Sequence, residues 1–360
     1  MKRILIMETG SFKVMGGAAK DTLKIFKKLG IRHSYEIDLL GDYSEIDGHV
    51  KTIDAEKMMS SDYDLIWMNS IRDIPLVSKY RKLHRGNTRF MYVDRGNVLL
   101  NFRRAGLTRL FPKMLIRQHL MNSMRGWLDY YIAISVDQFE YAETFFSGRT
   151  DVRYIMIAPH EEFRFLNRKK TFNGALTVAR LDDRQKNISF LIKGIEKLKE
   201  RYPDMGSKEV LRIAGTGIDE KKYKNMVEEL GLHNNITFLG FIYGNELIDA
   251  YNNASFYVST SKWEGLGRSL LEAMACGLPL LINENINTTI KEGPRTTLVR
   301  DLDNGMIYRA GDVDDFAEKF YWMYNNDKVI KKLSANTRLF MKQFSFDRVI
   351  EKYTDIIRQI

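Results

Sequence analysis

Apolar runs of four to six residues alternate along the whole chain with longer stretches in which apolar residues return every three or four positions. Runs this short and this continuous fit strands of a parallel sheet covered on both faces, and the stretches between them fit crossover helices. In the first half the predicted strands are Arg3–Met7, His33–Asp38, Asp64–Met68, Phe90–Val93, Tyr130–Ile134 and Val152–Ile157. In the second half they are Gly174–Val178, Val210–Ala214, Ile236–Leu239, Ser255–Val258 and Leu278–Ile282. Between them, Ile188, Leu191, Ile192, Ile195 and Leu198 make one buried helical stripe. The pattern predicts an α/β protein and argues against a helical bundle or a sandwich. No short-period repeat or low-complexity tail interrupts it.

The rhythm breaks once. Tyr154 to Phe172 contains Pro159 and the polar run Asn167-Arg-Lys-Lys170, and a new strand follows. With 360 residues and 44% hydrophobic content, the chain can form two domains with separate cores. The expectation is two doubly wound, Rossmann-like domains meeting across a cleft, with ligands outside the carboxyl ends of the strands.

Composition narrows the classes. A single cysteine, Cys276, excludes an internal disulfide and a cysteine-based metal site, and its small neighbours point to close helix packing. Met1-Lys-Arg leads directly into the first strand, and no run of 18 apolar residues occurs, so the expected location is cytoplasmic. The net charge of +10 favours an anionic partner without choosing one. From Arg95 to Leu128 there are Arg95, Arg103, Arg104, Arg109, Lys113, Arg117 and Arg125, and no acidic residue. Pro112 suits a first helical turn, after which Ile116, Leu120, Met124 and Leu128 recur at intervals of four. The stretch reads either as a basic element on an anionic membrane surface or as a core helix with arginines in water.

Candidate chemistry concentrates in Ser261-Lys-Trp-Glu264-Gly265-Leu266-Gly267-Arg268-Ser269-Leu270-Leu-Glu272-Ala-Met-Ala-Cys-Gly277-Leu-Pro279. Two carboxylates eight residues apart flank a glycine-bearing helix start, with Glu264 in the loop and Glu272 about two turns into a helix opening near Leu266. Carboxylates accept bonds from sugar hydroxyls, and unpaired N–H groups at a helix start suit phosphate. Gly16-Gly17 follows the first strand and opens a helix but lacks the full dinucleotide fingerprint. Arg180 and Lys186 follow one strand of the second half, and Gly215 and Gly217 follow another, a common place for backbone to approach a ligand.

In this order and at these separations, the segments resemble family 4 of the retaining, GT-B-fold glycosyltransferases, also called glycosyl transferases group 1. The landmarks are Val178-Ala-Arg180-Leu with Lys186, Ala214-Gly-Thr-Gly217, Ile236-Thr-Phe-Leu-Gly240-Phe241, Glu264 to Pro279, Asn304-Gly305 to Asp312, and Phe344 to Tyr353. The resemblance implies an acceptor-binding domain over 1–165, a nucleotide-sugar domain over 166–345, and a last helix over 346–360 crossing back to the first domain. It implies that Arg180 and Lys186 neutralise the donor diphosphate, that Glu272 holds the ribose, and that Glu264 lies near the donor sugar. Gly265, Leu266, Gly267, Arg268, Ser269 and Leu270 would line the sugar and phosphates, Phe241 the base, and Gly16 and Gly17 the phosphates from the other side. No metal or cofactor is implied.

Two departures stand out. Asp94, in Met91-Tyr-Val-Asp94-Arg95, occupies the place where the family often has a histidine followed by an aspartate; the histidine's role does not transfer to it, but as a catalytic candidate its carboxylate could hydrogen-bond the donor sugar or accept a proton. Ile157-Ala-Pro-His160-Glu replaces an Asn-Gly turn. The expected function is transfer of a hexose-type sugar from a nucleoside diphosphate sugar, a UDP-sugar favoured over a GDP-sugar. The acceptor would be a saccharide or lipid-linked glycan at the inner face of the plasma membrane, with Arg103, Arg104, Arg109, Lys113 and Arg117 as the membrane or acceptor patch. A nucleotide-sugar epimerase of the same fold is the alternative. A nucleic-acid-binding protein fits the charge alone, and no binding motif or stacking platform supports it.

Overall fold

The computed structural model describes residues 2–7, 17–33, 35–40, 50–84, 86–95, 112–146, 148–264, 266–286, 288–291 and 297–360. The chain divides into one unit of Met1–Ile157 with Asp347–Ile360 and a second of Ala158–Phe346.

In the first unit, seven parallel strands lie in the order β3-β2-β1-β4-β5-β6-β7. They are β1 (Arg3–Met7), β2 (Glu36–Leu40), β3 (Val50–Ile53), β4 (Leu65–Met68), β5 (Arg89–Asp94), β6 (Tyr130–Ala133) and β7 (Asp151–Tyr154). The helices are α1 (Gly17–His33), α2 (Ala55–Met59), α3 (Ile74–Leu83), α4 (Pro112–Met124) and α5 (Val136–Phe145). Central strands have no polar face: Ile4 through Met7 and Leu65 through Met68 are all fully buried, as helices on both sides require. The predicted strand at His33 begins later, at Glu36, because α1 continues through His33. β3 was not predicted; it is a sheet edge with Lys51 and Thr52 exposed.

The second unit has six parallel strands in the order β10-β9-β8-β11-β12-β13. They are β8 (Ala175–Val178), β9 (Leu211–Ala214), β10 (Ile236–Gly240), β11 (Phe256–Ser259), β12 (Leu280–Asn283) and β13 (Gly305–Tyr308). The helices are α6 (Asp183–Lys186), α7 (Ile188–Arg201), α8 (Glu220–Glu229), α9 (Gly244–Asn253), α10 (Arg268–Ala275), α11 (Val313–Asn325) and α12 (Asp327–Met341). The α7 stripe packs as its spacing predicts, with Ile188, Leu191, Ile192, Ile195 and Leu198 all in the core. β13, the other unpredicted strand, is again an edge.

Residues 158–165 belong to the second unit because its side chains hold them. Asn252 Oδ1 accepts from Leu166 N–H at 2.7 Å, its Nδ2 donates to Arg164 O at 3.2 Å, and Phe163 meets Tyr251 edge-on. The last helix, α13 (Phe346–Arg358), packs on the first unit. Tyr353 lies against Trp67 at 4.5 Å between ring centroids, Lys28 pairs with Asp347 at 3.0 Å, and Lys2 Nζ donates to Ile357 O. Among the described residues no helix is long and apolar enough to cross a membrane.

Candidate active site

The second sheet reverses its winding at β8: the chain runs outward through β9 and β10, then returns to place β11 on the other side of β8. Such a switch point leaves a crevice at the carboxyl ends of the two strands. Its walls carry Thr177, Ala179, Lys186, Tyr257, Thr260, Ser261, Glu264 and Ser269.

Lys186 ends α6, and Asn187 turns the chain into α7 with a left-handed φ of 53°, a conformation asparagine tolerates. Thr260 Oγ1 lies 3.0 Å from Lys186 O and 3.2 Å from Asn187 O, tying this corner to the end of β11. Asp183 accepts from Ser189 N–H at 2.9 Å across the same corner. The lysine is thereby aimed at the loop after β11, where its Nζ donates to Glu264 Oε1. Ser261 Oγ donates to the same oxygen at 2.7 Å, and Asn283 Nδ2 holds Ser261 O at 2.9 Å. Lys186 and Glu264 side chains are only 16% and 10% exposed, so the pair is largely shielded from water.

Glu272 lies one turn into α10, since the helix opens at Arg268 rather than near Leu266. It is buried and accepts from Tyr251 Oη at 3.0 Å. Burial and then the Glu272 carboxylate hold the Tyr251 phenol well above its ordinary pKa, so the hydroxyl remains a donor. Gly267 caps α10 without a side-chain bond, leaving the first turn open to an anion. Leu266 and Leu270 are buried, whereas Arg268 and Ser269 are half-buried. Ser269 Oγ is 2.9 Å from Tyr257 Oη, which also donates to Val178 O at 3.0 Å.

Arg180 is at the rim. Its side chain is 65% exposed, and Nη2 donates to Gln185 Oε1 at 3.2 Å. The tighter arginine pair is Arg184 with Asp182, bidentate at 2.9 and 2.7 Å. Phe241 and Tyr243 are exposed beyond β10 and stacked at 6.0 Å.

Gly215 and Gly217 have a different physical cause from the expected one. A Cβ on Gly215 would lie 1.9 Å from Ala179 O, and one on Gly217 2.3 Å from Leu181 O. These glycines let the loops after β8 and β9 meet backbone to backbone, with Leu181 N–H donating to Thr216 O at 2.9 Å.

In the first unit, Asp94 ends β5 and is fully buried. Its carboxylate accepts from Tyr131 Oη at 2.7 Å, and its backbone carbonyl accepts from Gln138 Nε2 at 2.9 Å. Gly17 is the first residue of α1. Of the expected stripe on α4 and just beyond it, Met124 and Leu128 are buried with Met121 and Trp127 and Leu120 packs against them, whereas Ile116 is exposed, as are Leu115 and Arg117. Among the described side chains of α4, the core residues lie in its second half. Lys113 is a residue of α4; Gly16, Arg103, Arg104, Arg109 and Gly265 lie outside the described residues.

The sequence model of the glycosyl transferases group 1 family matches residues 160–340, about half of the chain. The chain belongs to that family. Curated relatives include an uncharacterized glycosyltransferase of Haemophilus influenzae, 26% identical over 172 residues, and the putative glycosyltransferase EpsD of Bacillus subtilis, 31% identical over 171 residues. Each match covers 48% of this chain but only 45% and 42% of the respective relative. Solved structures of the same fold include a sucrose-phosphate synthase from Thermosynechococcus elongatus, with a TM-score of 0.77, 17% identity and 100% and 99% of the two chains covered. Anabaena HepE, in complex with UDP and glucose, has a TM-score of 0.74 at 16% identity, with both chains covered in full. The family match contains the whole β8–β11 crevice.

Sequence reasoning missed the hydroxyl groups that hold this site. Ser259-Thr260-Ser261, three hydroxyl residues ending an apolar strand, was a readable signal. Tyr251 and Tyr257 gave none, because a tyrosine in an apolar segment reads as core.

Proposed function

We propose that the protein is a retaining glycosyltransferase of family 4 that moves a hexose-type sugar from a nucleoside diphosphate sugar, preferably a UDP-sugar, to a saccharide or lipid-linked acceptor. The observation that carries this reading is the Lys186–Glu264 ion pair at the switch point of the second sheet, beside the uncapped start of α10. A diphosphate entering there would take Lys186 from Glu264, with Arg180 swinging in from the rim and the α10 N–H groups completing the cradle. The freed Glu264 would then accept from a donor-sugar hydroxyl. Glu272, oriented by Tyr251, would accept from the ribose, and the exposed rings of Phe241 and Tyr243 offer the base a stacking wall.

In this reading cations and the helix start offset the charge of the departing nucleotide, so no metal is needed. Relatives lend support: HepE was solved with UDP and with UDP-glucose, and Staphylococcus aureus TarM with UDP and a saccharide. Leu115, Ile116 and Arg117, exposed together on the first half of α4, support a peripheral position on an anionic membrane at its cytoplasmic face.

Thermal-shift screening of nucleoside diphosphate sugars tests the donor half, because a ligand of the folded form raises its stability with occupancy. UDP-sugars should raise the melting temperature of the wild type and not of Glu272→Ala. No response to any nucleoside diphosphate sugar would refute the reading.

A further inference from the structure

At the opposite end of the first sheet, where β5, β6 and β7 begin, lies a cavity of about 300 Å³. It is lined by Arg81 and His84 from the end of α3, by Asn87, Thr88 and Arg89 leading into β5, and by Trp127, Asp129 and Arg149. β5 rises roughly 3.3 Å per residue, so Arg89 is roughly 16 Å from the Asp94 end of the strand. The cavity is therefore separate from any group acting at the carboxyl ends.

Its charges do not balance. Asp129 is already spent: Oδ1 pairs with Arg89 at 2.9 Å, and Oδ2 accepts from Phe90 N–H at 2.9 Å. His84 is spent too, with Nδ1 2.9 Å from Asp62 and Nε2 2.9 Å from Met59 O. Among the described residues Arg149 donates to a carbonyl, Gly126 O at 2.9 Å, and to no carboxylate. Arg81 is half-buried with its guanidinium 4.6 Å from the Trp127 ring centroid and 5.5 Å from that of Phe90, and among the described residues no carboxylate lies within ion-pair reach of it. Burial, and then the charge of Arg149, push the Arg81 guanidinium below its ordinary pKa, and the Asp129 carboxylate, already paired with Arg89, offsets this only in part. The aromatic rings fix Arg81 in plane, so an incoming anion would meet a fork already oriented.

We propose that this pocket binds a phosphate monoester dianion between Arg81 and Arg149, with Asn87 as a neutral donor. Two forked guanidiniums match the charge and the oxygens of a dianion better than those of a monocarboxylate. The source of the ester is either a small soluble metabolite or the headgroup of a lipid.

The test is calorimetric titration of inorganic phosphate and of glycerol phosphate into protein saturated with UDP, at constant ionic strength, with flotation on phosphatidate vesicles in parallel. Arg149→Gln is the informative variant, since this exposed side chain can be changed without opening the core. It should weaken phosphate binding by roughly tenfold or more while leaving UDP affinity unchanged. Arg81→Gln should do the same, with circular dichroism confirming its fold. Response to the soluble esters identifies a metabolite site; retention on phosphatidate vesicles alone, lost in Arg149→Gln, identifies a lipid headgroup. Phosphate affinity unaffected by Arg149→Gln but abolished by Lys186→Ala would place the anion in the β8–β11 crevice and overturn the proposal, as would binding of neither probe.

Discussion

The β8–β11 crevice and the arginine pocket at the start of β5 are both basic, but they hold their charge differently. In the crevice the cation is a lysine, largely buried and already paired with Glu264, whose carboxylate also accepts from Ser261. In the pocket the cations are arginines, one lying on Trp127 and one reaching a carbonyl, with the nearest carboxylate committed to Arg89. An ammonium buried alone is costly and titrates, whereas a guanidinium stays charged and tolerates an aromatic surface. The crevice is thus a place where an anion must exchange with a resident carboxylate, suited to a ligand that binds and leaves. The pocket is a standing positive charge, suited to a ligand that merely docks.

Breaking the crevice side of this contrast should have the largest effect. Lys186→Ala removes the exchanging cation and strands Glu264, and sugar transfer followed by UDP release should fall on the order of a hundredfold or more with the far-ultraviolet dichroism intact. Near-normal turnover would show that the lysine is not at the reaction. Gly215→Ala acts through the loops beneath: its φ of 130° is a glycine conformation and the new Cβ would strike Ala179 O. Denaturant unfolding should report a loss of about 1–3 kcal/mol from backbone strain, before the steric overlap is added. Glu264→Gln sharpens the comparison from the other direction. Without its carboxylate competitor, Lys186 should bind UDP about tenfold more tightly by calorimetry while turnover falls, making the crevice resemble the pocket. Weaker UDP binding would mean that Glu264 orients the lysine rather than competing for it.

The smallest effect concerns pH. Asp182 caps α6 and its pKa is lowered from 3.8 to about 2, first by the hydrogen bond from Arg184. A depressed carboxyl pKa contributes stability that is present above about pH 4 and lost as pH falls through about 2. Asp182→Asn should therefore lower stability at neutral pH and flatten its dependence in that acid window, as measured by denaturant midpoints.

Much of the architecture was written in the apolar rhythm. Each predicted strand overlaps an observed one, most plainly in the central strands, which are buried on both faces and have no polar position to blur them. The two strands that escaped, Val50–Ile53 and Gly305–Tyr308, are edges, the first with polar Lys51 and Thr52 and the second beginning at glycine, whereas the edges β7 and β10 were predicted. The α4 stripe held at Leu120, Met124 and Leu128 but not at Ile116, because periodicity reports which residues could share a face, not how much of that face docks. At the site, Lys186 and Glu264 are 78 residues apart; each was picked out from its own segment, but it was the resemblance to a family that joined them, since no local spacing brings them together. Their supports, Thr260, Ser261, Tyr251 and Tyr257, act through hydroxyls whose partners exist only once the sheet has formed. Gly215 and Gly217 were visible as glycines, but the chain they make room for is their own.

The most direct test of the central claim is the position of Lys186 Nζ in a crystal of the protein grown with uridine diphosphate. The account predicts the diphosphate in the β8–β11 crevice, with the ammonium moved from Glu264 Oε1 to a phosphate oxygen. A nucleotide bound elsewhere while Lys186 still donates to Glu264 would contradict it.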